Sequence, residues 1–364
     1  MIDRTSVSFF LGANTPGGFY SLFSELYSPE DGWRLYIIKG GPGTGKSTLM
    51  KKIAAEADKN GFFNERIYCS SDPESLDAVI IPRLKISVAD GTAPHVLEPL
   101  YPGVSESIVD LGSCRDDSLL RENAQEIIKK TKLNSGEHKK CVGFLAAAAG
   151  VENDTERIVL SSLRTQRLSR FAAKLSQSLF GSVSDAPGTE KKRFLSALTP
   201  FGETVFEDSF CNMCEKKIVL EDCFGTAAAL LLGIIKASCL ERGHDCISCP
   251  CPLSPDKKTE HLIIPSLSLG FFTSNRWHPF SGTADKTVDC LRFSEPEILR
   301  RHKNRLSFDR RAQDELIAEA LTRLENAKRL HDELEKFYIG AMDFSALGRR
   351  TDALIEEIFS SSAN

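Results

Sequence analysis

Apolar runs of strand length alternate with helix-forming stretches along the whole chain. In the first half Ser8-Phe9-Phe10-Leu11, Leu35-Tyr36-Ile37-Ile38, Arg66-Ile67-Tyr68-Cys69 and Ser107-Ile108-Val109 read as strands. A further element runs through residues 78–89, with Pro82 breaking it. Helices are predicted at 19–26, after a Thr-Pro-Gly-Gly turn, and at 48–55. Residues 117–149 and 152–180 read as two helices in a hairpin, and the end of the chain repeats this from 298 to 359. There Leu321, Leu324, Leu330 and Leu334 fall at helical spacing, a stripe expected to pack in a core. Strands alternating with helices predict an α/β fold with mainly parallel sheets flanked by helices and an appended helical hairpin.

Between the strand at 35–38 and the helix at 48–55 lies Gly40-Gly41-Pro42-Gly43-Thr44-Gly45-Lys46-Ser47. It fits G-x-x-x-x-G-K-[ST], the P-loop that cradles the phosphates of a nucleoside triphosphate. Glycines let backbone N–H groups turn inward on phosphate oxygens, and the following helix adds its positive N-terminal end. The expected nucleotide contacts are Gly40, Gly41, Gly43, Thr44, Gly45, Lys46, Ser47 and Thr48. Lys46 would reach the β- and γ-phosphates, and the Ser47 hydroxyl would bind Mg²⁺.

The chain also repeats itself. Phe10-Leu11…Thr15-Pro16…Gly18 recurs as Phe194-Leu195…Thr199-Pro200…Gly202, and Ile80-Ile81-Pro82 as Ile263-Ile264-Pro265. His95 falls on His278, and Leu175…Phe180 on Leu354…Phe359, while the offset drifts only from 184 to 179. Two tandem P-loop NTPase-like domains are expected, at 1–181 and 193–364, joined by a small, Pro/Gly-punctuated linker at 182–192. The second phosphate loop reads Asp222-Cys223-Phe224-Gly225-Thr226-Ala227-Ala228-Ala229, without lysine or the Mg²⁺-binding hydroxyl. That half is expected not to bind ATP-Mg²⁺ and to pack as a dead sibling against the live one.

Comparing the halves ranks the remaining candidates. Asp90 ends the apolar run Ile86-Ser87-Val88-Ala89 and falls on Thr273, so it is expected to hold Mg²⁺ in the manner of a Walker B acid. Asp72 falls on Ser254 and is expected to orient or deprotonate the attacking water, with Glu74 a weaker alternative. Asp110 and His95 survive as Asp289 and His278 and are expected to be structural, Asp110 as a helix cap. Cys211, Cys214, Cys246 and Cys249 have a gap wider than the roughly 15–20 residues of common zinc ribbons and read as buried free thiols. No arginine finger is singled out among the basic residues of the helical region, which include Arg157, Arg164, Arg167 and Arg170.

Composition adds limits. With 41% hydrophobic and 26% charged residues and a net charge of −4, the chain has no bulk attraction to nucleic acid or anionic lipid. Met1-Ile2-Asp3-Arg4-Thr5 lacks the layout of a signal peptide, and the run at 227–235 is too short to span a bilayer. A cytoplasmic protein with its 11 cysteines mostly reduced is expected, without membrane association.

The string at 40–49, with Cys69-Ser70-Ser71-Asp72-Pro73-Glu74-Ser75-Leu76-Asp77 and Asp90-Gly91-Thr92-Ala93-Pro94-His95, resembles an uncharacterised bacterial ATPase family with two P-loop domains in tandem. The resemblance spans essentially the full length and implies ATP binding and hydrolysis; this chain departs from it in its degenerate second loop. Thr15-Pro16-Gly17 and the Asp72/Glu74 pair are more loosely similar to RecA-like ATPases of the circadian-clock type. The expected function is Mg²⁺-dependent ATP hydrolysis in the first half. A small-molecule or nucleoside kinase, and a nucleotide-sensing switch that recruits a protein partner, remain open as alternatives.

Overall fold

The computed structural model describes residues 6–360; the N-terminal residues 1–5, on which the signal-peptide reading rests, lie outside the described residues. In chain order the first half forms β1 (Ser6–Phe10), a hairpin of β2 (Gly12–Thr15) and β3 (Gly18–Ser21), and β4 (Arg34–Lys39). Next come α1 (Lys46–Lys59), β5 (Asn64–Cys69), β6 (Asp72–Ile81), β7 (Ile86–Asp90) and β8 (Glu106–Asp110). A short α2 (Asp117–Glu122) leads into α3 (Ala124–Ser162) and α4 (Thr165–Phe180). The second half follows with β9 (Glu190–Lys192), the hairpin β10 (Ser196–Thr199) and β11 (Gly202–Val205), α5 (Glu207–Met213) and β12 (Lys216–Glu221). It continues through α6 (Thr226–Glu241), β13 (Cys246–Pro250), β14 (Thr259–Ile264), β15 (Leu269–Ser274) and β16 (Lys286–Asp289). It ends in α7 (Pro296–Arg301), α8 (Lys303–Gly340) and α9 (Phe344–Ser360).

The protein is α/β, with two six-stranded sheets in the orders β1-β5-β6-β7-β4-β8 and β9-β13-β14-β15-β12-β16. Strand for strand the two orders correspond, and so do the directions. The sheets are mixed rather than mainly parallel: β6 runs antiparallel to both β5 and β7, and β14 to both β13 and β15. A short turn at Pro82–Leu84 returns the chain directly into the neighbouring strand, so no crossover helix is needed there. The helix expected at 19–26 is also replaced. Gly18, at φ 109°, closes a Thr-Pro-Gly-Gly hairpin, and only Phe23–Leu26 form a single tight turn. β9, paired with β13, falls inside the stretch read as a linker.

The helical hairpins are not formed within each half. α3 is one continuous helix, about 58 Å long for its 39 residues, and lies antiparallel to α8. The direction follows from the ion pairs Lys130–Glu333 (2.5 Å) near one end and Asp154–Arg305 (2.7 Å) near the other. Midway, Cys141, Leu145 and Ala148 pack with Ile317, Ala320 and Leu324. The shorter helices are exchanged. α4 buries Leu168, Ala172, Leu175 and Phe180 against α6 of the second half, whereas α9 buries Leu347, Leu354 and Ile358 against Leu49, Met50 and Ile53 of α1. Each of these leucine, isoleucine and phenylalanine side chains contributes about 1.5–3 kcal/mol, so each sheet depends on a helix from the opposite half.

The halves meet about a pseudo-twofold axis. Phe10 and Phe194, equivalent by the repeat, exchange two backbone hydrogen bonds of 2.9 Å. Around them Phe10 stacks on Phe206 at 4.6 Å, and Leu11, Ala13, Leu195 and Ala197 share one core. Arg193 crosses the junction to Glu65 at 2.8 Å, both nearly buried. Such reciprocal contacts mark an isologous interface, here between two parts of one chain.

Candidate functional site

Strand β4 is apolar from Leu35 to Ile38 and buried between β7 and β8, so its carboxyl end delivers the glycine loop to the rim of the sheet. Gly43 and Gly45 sit at φ 66° and 85°, a region open to glycine, and Gly45 opens α1. Lys46 folds back, donating to the carbonyls of Gly41 (2.7 Å) and Gly40 (3.3 Å), and its ammonium lies 3.6 Å from Asp90 Oδ2. The Thr44 hydroxyl closes the loop onto the Gly41 carbonyl at 2.9 Å. Ser47 Oγ accepts from the Leu76 N–H at 3.0 Å, tying α1 to β6, and Thr48 is exposed on the first turn.

Asp90 ends β7, next to β4, and its Oδ1 accepts from the Thr92 N–H (2.8 Å) and hydroxyl (2.6 Å), leaving Oδ2 toward Lys46. Asp72 begins β6; its Oδ2 accepts from the Ser75 hydroxyl at 2.7 Å and its Oδ1 lies 3.6 Å from Lys328 of α8. Burial opposes the charge on Lys328, yet Asp332 and Asp72 hold its pKa above the ordinary lysine value. Lys46, Ser47, Asp72 and Asp90 thus gather at one end of the first sheet.

Two further groups stand there that sequence reasoning missed or set aside. The pairing of β5 with β6 slips so that Ile67 opposes Ala78 and Tyr68 opposes Leu76; Asp77 is the bulged residue, turned inward and 6% exposed. Burial, then the charge of Asp90, pushes the Asp77 carboxyl up to about 8. His95 Nε2 is 4.0 Å from Asp77 Oδ1, and the imidazole stacks on Phe23 at 4.3 Å. Neither ring nitrogen of His95 has a hydrogen-bond partner, and burial lowers its pKa to about 4. A buried unpartnered nitrogen costs about 1–3 kcal/mol. The second half slips at the same place and leaves Glu260 in the bulge, so both copies carry an acid there.

The far half closes over the loop. The Gly43 N–H donates to Glu335 Oε1 of α8 at 3.1 Å. A Cβ at Gly41 would lie 2.5 Å from the Tyr338 ring, one at Gly43 2.9 Å from Ile339, and one at Gly45 2.9 Å from Leu347. A carboxylate on a loop amide occupies a position suited to an anion.

The second loop is closed differently. Asp222, in the place of Gly40, caps α6 with its own carboxylate, accepting from the N–H groups of Ala228 (2.8 Å) and Phe224 (3.0 Å). Beside it a cavity of about 330 Å³ is lined by Glu203, Thr273, Arg276, Trp277 and His278, among others. There His278 is fully engaged, 3.2 Å from Glu203 and 3.5 Å from Glu260. Asp110 and Asp289 each accept from a backbone N–H two residues on, Gly112 (2.8 Å) and Leu291 (2.9 Å). Cys211 and Cys214 lie on or beside α5 and Cys246 and Cys249 on β13; among the described residues no three-residue metal-ligating group includes a cysteine. No described helix is long and apolar enough to cross a membrane. Comparison with family models, with curated proteins and with solved structures finds no match for this chain.

Proposed function

We propose that the first half binds ATP-Mg²⁺ at the glycine loop and hydrolyses it slowly, while the second half serves as a non-binding partner. One observation carries the reading: a strand–glycine loop–helix unit with Lys46 curled onto the Gly40 and Gly41 carbonyls and an acid, Asp90, at the end of the adjoining strand. A triphosphate offers Lys46 better partners than neutral carbonyls. Ser47 and Asp90 are the residues that would hold Mg²⁺, which supplies charge neutralisation at the phosphates. One feature of the structure suits a cation there: Asp90 Oδ2 takes no hydrogen bond, its nearest charge being Lys46 at 3.6 Å. Asp72, at the start of β6, would orient water, with Lys328 3.6 Å from its Oδ1.

A second reading, the nucleotide-sensing switch, is favoured by the Glu335 contact. An incoming phosphate and the Glu335 carboxylate compete for the Gly43 N–H, so binding bears on the register of α8 against the loop. The two readings are compatible, with slow turnover resetting the switch. Phosphate release by purified protein, beside Lys46→Ala, tests the enzymatic part. Release well above the variant supports hydrolysis. Tight ATP binding without release leaves the switch alone, and an absence of both rejects the nucleotide reading.

A further inference from the structure

We propose that Asp77, Asp90 and His95 form a site for a divalent transition metal such as Mn²⁺, filled without nucleotide. The three side chains offer ligand atoms that all lie within 4.8 Å of one another. His95 Nε2 and Asp77 Oδ1 are 4.0 Å apart. With bonds of about 2.0–2.2 Å to nitrogen and oxygen, two ligands of one ion stand roughly 3–4.4 Å apart, so closure requires shifts of only a few tenths of an ångström. Three protein ligands leave coordination positions open for water or phosphate oxygens. Imidazole beside two carboxylates selects a transition metal over Mg²⁺, which prefers oxygen ligands alone.

The observation that sets this cluster apart is His95 itself. It is 6% exposed, held flat against Phe23, and both of its ring nitrogens lack hydrogen-bond partners. The second half supplies the contrast within the same fold. Its equivalent, His278, is satisfied by Glu203 and Glu260, and Asn275 Nδ2 lies 3.1 Å from its Nε2. Glu203 stands where the first half has Phe19, 184 residues earlier, so the first half lacks that internal partner and its histidine faces two acids. Thr273 replaces Asp90, which deletes one ligand from the second copy. His261, beside His278, accepts the Thr273 N–H on Nδ1 at 3.2 Å; in its neutral form the proton is then on Nε2, which is no ligand. The set of one histidine and two acids is therefore complete in the first half only; in the second, Glu260, His261 and His278 come equally close, but His261 Nδ1 is already engaged.

Lys46 is the neighbouring charge that opposes the ion, 3.6 Å from Asp90 Oδ2. Metal entry breaks that contact and leaves Lys46 on its two loop carbonyls. The site does not depend on nucleotide binding at the loop, and its test runs without nucleotide.

The test is Mn²⁺ titration of metal-stripped, nucleotide-free full-length protein, followed by electron paramagnetic resonance. One ion per chain is expected, with ¹⁴N coupling from a histidine. His95→Ala and Asp77→Asn are expected to weaken binding at least about 10-fold, the loss seen even for outer-shell partners. Lys46→Ala is expected to retain or tighten it, and His331→Gln, in the exposed His331/Asp332/Glu335 group on α8, to leave it unchanged. Absence of Mn²⁺ binding overturns the proposal. So does unchanged affinity in a His95→Ala protein with a native circular dichroism spectrum and melting point. If His95→Ala does not fold, the wild-type ¹⁴N signal decides, its absence counting against the site. ATP binding, measured separately with and without Lys46→Ala, reports on the nucleotide reading alone.

Discussion

Glu335→Gln is the most informative single substitution. The carboxylate accepts from the Gly43 N–H at 3.1 Å, and glutamine keeps the side chain's size and an accepting oxygen while removing its charge. A hydrogen bond to a charged group contributes about 1.5–3 kcal/mol net. Glu335 is 35% exposed along its side chain, so solvent screening reduces the charge-dependent part to about 1 kcal/mol. A triphosphate that must displace this contact recovers that amount in the variant, which corresponds to about a fivefold lower Kd for ATP-Mg²⁺. Isothermal titration of wild type and variant at fixed ionic strength measures it. An unchanged or weaker affinity in Glu335→Gln, with binding still abolished by Lys46→Ala, would refute the competition between Glu335 and phosphate.

Other expectations follow from the exchanged helices and the buried histidine. Ile358, fully buried against α1 although it belongs to the last helix, should cost about 2–5 kcal/mol when replaced by alanine, read as a lower urea midpoint. That loss should open α1 to native-state proteolysis; protection of α1 in the variant would contradict the exchange. Residues 1–181 expressed alone should lack cooperative unfolding, because α4 leaves its partner α6 behind and α1 loses α9; a sharp transition would show the halves to be independent. Burial opposes protonation of His278, but Glu260 and Glu203 outweigh it and raise its pKa to about 8. Its folded value exceeds the unfolded one, so the associated stability is complete below about pH 6.5 and is lost as pH rises through 8, about 2 kcal/mol in all. Urea midpoints across that range should fall less steeply in His278→Gln, and parallel profiles would argue against the charged histidine.

The local features of the chain were readable because short-range chemistry decides them. The glycine loop, the strands around it and the acid ending Ile86–Asp90 depend on nearby residues, and the repeat exposed the second half's lost lysine. Strand direction was not readable: Pro82 announced a break, but whether the chain then crossed over or turned back depends on pairing partners far along the chain. The two helices expected at 117–149 and 152–180 break where α3 continues, since pairing with α8 outweighs the roughly 1 kcal/mol cost of a mid-helix glycine such as Gly150. The exchange of α4 and α9 was hidden because both helices present the same apolar stripe to equivalent sheets, and the sequence pattern is identical whichever sheet receives it. Asp77 was overlooked because a bulge, not a motif, turns it inward, and Lys328 and Glu335 because they reach Asp72 and the loop from more than 250 residues away.

Photoaffinity labelling with an azido-ATP analogue decides whether the loop of residues 40–47 is a single working triphosphate site. One label per chain is expected, on peptides around α1, β7 or the loop-facing end of α8, lost in Lys46→Ala and competed by ATP-Mg²⁺. Label concentrated around Asp222 and α6, or none that ATP displaces, would contradict it.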